Sequence, residues 1–128
     1  MLDHISVTVS DMARATAFWD AVMAALGQPC VGRSDDWAGY GLRADADHPQ
    51  RCYMSLFLAA GGVTADRRHW CFKAPSRAAV DASHPAGVAH GGRCDGPPGL
   101  RPHYHPGYYA AFLCDPDGNR IEAVWHGG

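Results

Sequence analysis

The sequence predicts an α+β domain assembled from a duplicated unit of strand, helix and further strands. Three observations carry this. The segment His4-Ile-Ser-Val-Thr-Val-Ser-Asp-Met-Ala aligns with His69-Trp-Cys-Phe-Lys-Ala-Pro-Ser-Arg-Ala at a shift of 65 residues. The same shift brings Asp11 onto Ser76, Ala13 onto Ala78 and Gly27 onto Gly92. The chain then closes on a turn signal, Asp115-Pro-Asp-Gly118, and an alternating segment that carries Glu122.

Residues 4–9 alternate and are rich in β-branched types, which predicts a strand with His4, Ser6 and Thr8 on one face. Ser10 or Asp11 caps the helix that follows. Its apolar stripe is Ala15, Phe18, Trp19, Val22, Met23 and Leu26, and Gly27 suits its end. That helix covers the Ile5, Val7 and Val9 face and leaves the His4 face for the interior of a curved sheet. Beyond it, short strands are expected at Tyr40-Gly-Leu and Cys52-Tyr-Met-Ser-Leu-Phe-Leu, with a polar turn at 45–50 and a link at Gly61-Gly62.

The second unit opens with a strand at His69, whose face includes Cys71 and Lys73. Ser76 caps a second helix containing Ala79 and Val80, which Pro85 is expected to kink or shorten. Gly91-Gly92 provides an exit, and 96–107 reads as an extended, proline-rich loop. Strands are expected from Tyr108 to Cys114 and over 119–126. On the last, Arg120, Glu122, Val124 and His126 share a face.

At 128 residues the chain is expected to be a single domain over 1–128, long enough to bury its own core. Its modules run over about 1–62 and about 66–126. Hydrophobic content of 47% with 19% charged residues is ordinary for a globular protein. A formal charge of −2 with no basic stripe argues against nucleic-acid binding. No secretory signal and no membrane-spanning stretch is apparent. Five cysteines without CxxC spacing fit reduced thiols in a cytoplasmic protein.

Two histidines on equivalent first strands and a carboxylate on the last strand are a common ligand set for a catalytic metal with open positions. Buried together in an apolar cavity, they would need pairing or a metal.

These pieces in this order, the His4 strand, the Phe18-Trp19 helix ending in Leu26-Gly27, the His69 strand and Phe112-Leu-Cys-Asp-Pro-Asp-Gly-Asn-Arg-Ile-Glu-Ala, resemble the vicinal oxygen chelate superfamily. This is the glyoxalase, bleomycin-resistance and extradiol dioxygenase group, and the resemblance covers essentially the whole chain. It implies two βαβββ modules forming a curved mixed sheet around a shared cavity. His4, His69 and Glu122 match the family's metal-ligand positions. The resemblance further implies a divalent ion (zinc, nickel, manganese, cobalt or iron), a small-molecule substrate bound through adjacent oxygens, and a possible homodimer. Glyoxalase I has a fourth protein ligand. Shifting Glu122 back by 65 residues lands on Phe57, with Ser55, Leu56 and Leu58 nearby, so an aromatic ring is expected there. This disfavours a lactoylglutathione lyase and resembles the three-ligand sites of extradiol dioxygenases and fosfomycin-modifying transferases. The expected function is a metal-dependent lyase or isomerase. The alternatives are an extradiol-type dioxygenase and a non-catalytic drug-binding protein.

Further candidates complete the expected site. Lys73, the only lysine, shares a face with His69 and suits an anionic substrate. Cys71, between them, is expected to be a core thiol. Arg101, His103, Tyr104 and His105 crowd one loop that is placed to cover the cavity. His103 and His105 are candidate acids or bases, since imidazole titrates near neutrality. One of Tyr108 and Tyr109 must face the cavity, and the sequence leaves that choice open.

Overall fold

The computed structural model describes residues 2–44, 46–59 and 69–127. The expected turn at 45–50 lies in part, and the Gly61-Gly62 link wholly, outside them. Each half follows the order β, α, β, β, β. The first has β1 (His4–Val9), α1 (Met12–Ala25), β2 (Cys30–Arg33), β3 (Trp37–Gly41) and β4 (Tyr53–Leu58). The second has β5 (His69–Lys73), α2 (Arg77–Ala89), β6 (Arg93–Leu100), β7 (Tyr109–Cys114) and β8 (Arg120–Trp125).

The strands form two four-stranded sheets of identical topology, β1-β4-β3-β2 and β5-β8-β7-β6. In each, the first and last strands pair parallel and the other neighbours antiparallel. The paired βαβββ modules that the family resemblance implies are thus present, as two mixed sheets that are not closed into a barrel.

Local chemistry accounts for the helices. Asp11 caps α1, its Oδ1 accepting from Arg14 N at 2.9 Å, and Ser76 caps α2 by accepting from Ala79 N at 3.2 Å. Gly27, at φ 75°, ends the first helical segment in a conformation that favours glycine. The stripe of Ala15, Phe18, Trp19, Val22 and Met23 is buried as expected. Contrary to expectation, α2 is not cut short at Pro85 but continues to Ala89. Burial of Val80, Ser83 and Gly87 on both sides of the proline holds the helix across it.

Two more strands depart from the sequence reading. β2 was not expected, because its four residues alternate without an apolar pattern. The segment 96–100 is strand rather than loop. β6 is an edge strand with register shifts between Cys94 and Gly96 and between Gly96 and Gly99, and such irregular edges tolerate Pro97 and Pro98.

Helix packing joins the modules. Trp19 is fully buried, stands edge-on to Phe18 and to Phe72 of β5, and donates from Nε1 to Asp115 Oδ2 at 3.1 Å. The turn before β8 also ties back to β1: Asp117 Oδ1 accepts from Ser10 N at 3.0 Å, and Asn119 Nδ2 donates to Thr8 O at 3.2 Å. No helix among the described residues is long and apolar enough to cross a membrane.

Candidate functional site

The parallel pairing of β5 with β8 builds the site. Its register sets His69 beside Arg120 and Cys71 beside Glu122. All four therefore project from the same face, since residues paired across strands share a side. His69 Nε2 stands 3.4 Å from Glu122 Oε2, with the histidine half exposed and the carboxylate buried. The other carboxylate oxygen, Oε1, accepts from the Tyr108 hydroxyl at 2.5 Å. Burial, and then the bond to Glu122, push the Tyr108 phenol above its ordinary range, so it carries its proton at neutral pH.

Cys71 is not a core thiol. The residue is exposed on this face. Desolvation of its thiol, reinforced by the Glu122 charge, pushes it up to about 12. A thiol so held is a poor nucleophile. None of the five cysteines is disulfide-bonded.

His4 stands apart from this pair. It opens β1 on the other sheet, largely exposed, with Nδ1 2.7 Å from Asp3 Oδ1. Among the described residues, no group of three or more His, Cys, Asp or Glu side chains is gathered to hold a metal ion. One chain therefore brings together two of the three expected donors, His69 and Glu122, whose imidazole and carboxylate suit a divalent ion with open positions.

The remaining candidates separate into those near the pair and those away from it. A pocket of about 170 Å³ is lined by His69, Glu122, Tyr104, Phe112, Arg120 and Asp95, among others. Tyr104 reaches it from the 101–108 loop, which is closed by Arg101 N donating to Tyr108 O at 2.8 Å. Aromatic contacts run through this loop: Tyr104 packs on His103 and Tyr108, and His105 packs on Tyr108 and His126. His105 Nδ1 accepts from Gly107 N at 3.2 Å, so its proton lies on Nε2, 3.0 Å from His126 Nδ1. Both His105 nitrogens are thus engaged within the loop and the C-terminal strand rather than aimed at the pocket. His103 is held against Tyr104. Arg101 lies over the Phe112 ring, 5.5 Å from its centroid.

Structure settles the tyrosine choice. Tyr108 faces Glu122, whereas Tyr109 turns to α2 and donates to Asp81 Oδ1 at 2.6 Å. Tyr109 is therefore removed from the site, by the alternation of neighbouring residues. Lys73 is exposed at the far end of β5, opposite Val124.

Phe57 is also corrected. His4 pairs with Tyr53 as His69 pairs with Arg120, so Ser6–Ser55 is the counterpart of Cys71–Glu122. The position matching Glu122 is Ser55, and Phe57 lies two residues beyond it, paired with Thr8 and Trp37. The second module carries two more residues between its first and last strands, which the constant shift did not allow for. The inference that this position offers no carboxylate is unaffected.

Arg120 and Asp95 line the pocket and were missed. Arg120 carried a signal, since it lies two residues before Glu122 on the same strand face. Asp95 carried none, because it precedes the segment read as loop and its bulge is set by pairing with β7.

The chain resembles known proteins along its length. The profile of the Glyoxalase/Bleomycin resistance protein/Dioxygenase superfamily matches residues 1–123. No match is found among curated proteins. Among solved structures, a glyoxalase/bleomycin resistance protein from Albidiferax ferrireducens T118 is 32% identical, with 97% of both chains covered and a TM-score of 0.77. A glyoxalase/bleomycin resistance protein/dioxygenase family enzyme from Burkholderia phytofirmans PsJN is 19% identical, with 95% of both chains covered and a TM-score of 0.69. The E144Q mutant of glyoxalase I from Zea mays is 19% identical, with a TM-score of 0.65; the match covers 94% of this chain and 45% of that one.

Proposed function

From its place in the Glyoxalase/Bleomycin resistance protein/Dioxygenase superfamily, to which this chain belongs, we propose a metal-dependent enzyme of the lyase or isomerase type. His4, His69 and Glu122 hold a divalent ion, and a small substrate offers it two neighbouring oxygens. The observation that carries this reading is the His69–Glu122 pair, 3.4 Å apart on an open sheet face, with the carboxylate braced by Tyr108.

His4 occupies the equivalent position on the other sheet, and its face is equally open: His4, Ser6 and Thr8 are exposed, as are His69, Cys71 and Lys73. The three donors meet when the first module of one copy faces the second module of another, so the working unit in this reading is a homodimer. When bound, the ion supplies Lewis acidity that stabilises negative charge forming on a substrate oxygen. Zinc, nickel, manganese, cobalt and iron all suit these donors. The protein's own part is to orient and to exclude water. Tyr108 fixes the Glu122 carboxylate, Tyr104 and its loop cover the pocket, and the protonated Tyr108 phenol is a donor rather than a base. Ser55, in place of a second carboxylate, supplies no carboxylate base on the other sheet.

A binding-protein reading has one specific observation in its favour. Trp37, Tyr53 and Phe57 share the open face of the first sheet. The Tyr53 and Trp37 rings lie over Gly39, where an added Cβ would fall 2.0 Å from Tyr53 Oη. Such an aromatic floor suits a flat ligand.

Elemental analysis of purified and metal-reconstituted protein tests the metal reading. Stoichiometric metal is expected in the wild type and is lost in His69→Ala. Mixing His4→Ala with His69→Ala protein regenerates an intact site in the mixed dimer and recovers metal. Full metal content in His69→Ala would overturn the proposed centre. No metal in the wild type, even after reconstitution, would favour the binding protein.

A further inference from the structure

The pocket beside His69 and Glu122 is flanked by a built ion pair that neither holds those donors nor belongs to the core. Arg120 donates from Nε and Nη2 to the same oxygen of Asp95, Oδ2, at 3.0 and 2.9 Å. Both side chains line the pocket, and Arg120 remains half exposed. A guanidinium has five N–H donors in a planar fork. Asp95 uses two of them through one oxygen and leaves the Nη1 edge of the fork unused by that pair.

Asp95 owes its position to an irregularity in β6. Cys94 pairs with Leu113 and Gly96 with Phe112, so Asp95 is the extra residue of a bulge. Bulges re-aim a side chain, here across the sheet to β8. Glu122 is a second carboxylate in the pocket, and three guanidiniums stand around the two acids: Arg120 in the lining, Arg93 close enough to feel the Asp95 charge, and Arg101 over the Phe112 ring that lines the same pocket. The Asp95 charge thus orients Arg120 without cancelling the positive character of the rim.

We propose that Arg120, aimed by Asp95, anchors an oxyanion of the substrate, a carboxylate or phosphate group, next to the two oxygens read by the His69–Glu122 centre. The site is a place for a small anionic metabolite, and Arg120 decides its charge class. Asp95 is a positioning residue that acts through Arg120. A planar fork recognises such a group in two-point fashion, which an ammonium in the same place does not reproduce. This inference rests on the site assigned above, but its test needs no metal, so the two readings fail separately.

The test titrates metal-free full-length protein with malonate and, in a second arm, with inorganic phosphate, following the arginine Nε–H signals by NMR. Saturable binding that shifts the Arg120 signal is expected, and the tighter arm identifies carboxylate or phosphate as the preferred group. Arg120→Gln weakens that binding on the order of tenfold or more, and Arg120→Lys falls between, because the charge stays while the fork is lost. Asp95→Asn also weakens it, although removing a negative charge from the rim would by itself strengthen anion binding. The far-ultraviolet circular dichroism spectrum of Arg120→Gln stays that of the wild type, which shows that the variant is folded. Binding by Arg120→Gln within twofold of wild type, or no binding of either anion by the wild type, overturns the proposal. Tighter binding by Asp95→Asn overturns the positioning role of Asp95.

Discussion

The Tyr108 hydroxyl donates to Glu122 Oε1 at 2.5 Å, while Oε2 of the same carboxylate lies 3.4 Å from His69 Nε2. Each oxygen of a buried acid is therefore assigned a neighbour, and the carboxylate cannot rotate without leaving one of them. In the proposed metal centre, a group that braces the carboxylate in this way sets its orientation and basicity. Tyr108→Phe preserves the ring contacts with Tyr104 and His105 but leaves Oε1 without its donor. Affinity for a divalent ion is expected to fall about tenfold to a hundredfold, with the fold retained. Competition against a chromophoric chelator measures it, and an affinity equal to wild type would remove Tyr108 from the site.

Pro85 sits inside α2, where it has no N–H to offer the Asp81 carbonyl one turn earlier. The helix persists because its buried face is held by the core, so the proline is tolerated at a cost in stability. Pro85→Ala restores that bond and is expected to stabilise the protein by about 1–3 kcal/mol. Urea denaturation reads this as a higher midpoint at an unchanged slope. A lower midpoint would mean that the proline ring contributes packing that alanine cannot replace.

Tyr40 is buried, and its hydroxyl donates to Asp20 Oδ1 at 2.9 Å. Asp20 in turn receives Arg33 Nη2 on both oxygens at 2.8 Å. Burial, and then the bond to Asp20, hold the phenol well above its ordinary range. A folded value raised above the unfolded one gives stability that is complete below the unfolded value. That stability is lost as pH rises, because the unfolded chain releases its proton first. Tyr40→Phe loses about 1 kcal/mol at neutral pH with the hydrogen bond. Its deficit relative to wild type then shrinks as pH rises above about 10. Denaturation midpoints of both proteins between neutral and alkaline pH provide the check; a gap that stays constant would contradict the assigned burial.

Much of the fold was legible because it is written in short range. Alternation over residues 4–9, the caps Asp11 and Ser76, the stripe from Ala15 to Met23 and the turn at Asp115 each act within a few residues. Where local patterns were weak or misleading, the reading failed. β2 has no apolar alternation to display. Pro97 and Pro98 resemble a loop until an irregular edge strand accommodates them. Pro85 signals a helix end that tertiary packing overrides.

By itself, the sequence determined a duplicated unit of strand, helix and further strands and placed His4 and His69 on corresponding first strands and Glu122 on the last, because side-chain alternation and capping follow from adjacent residues. Only the tertiary structure decided which of these groups meet. The parallel register of β5 on β8 brings His69 to Glu122 and sets Arg120 beside them, while His4 stays on a separate sheet. Ser55 rather than Phe57 matches Glu122, and a bulge turns Asp95 toward Arg120. Strand register and bulges are set by pairing between segments far apart in the chain, where one inserted residue moves every later side chain to the opposite face.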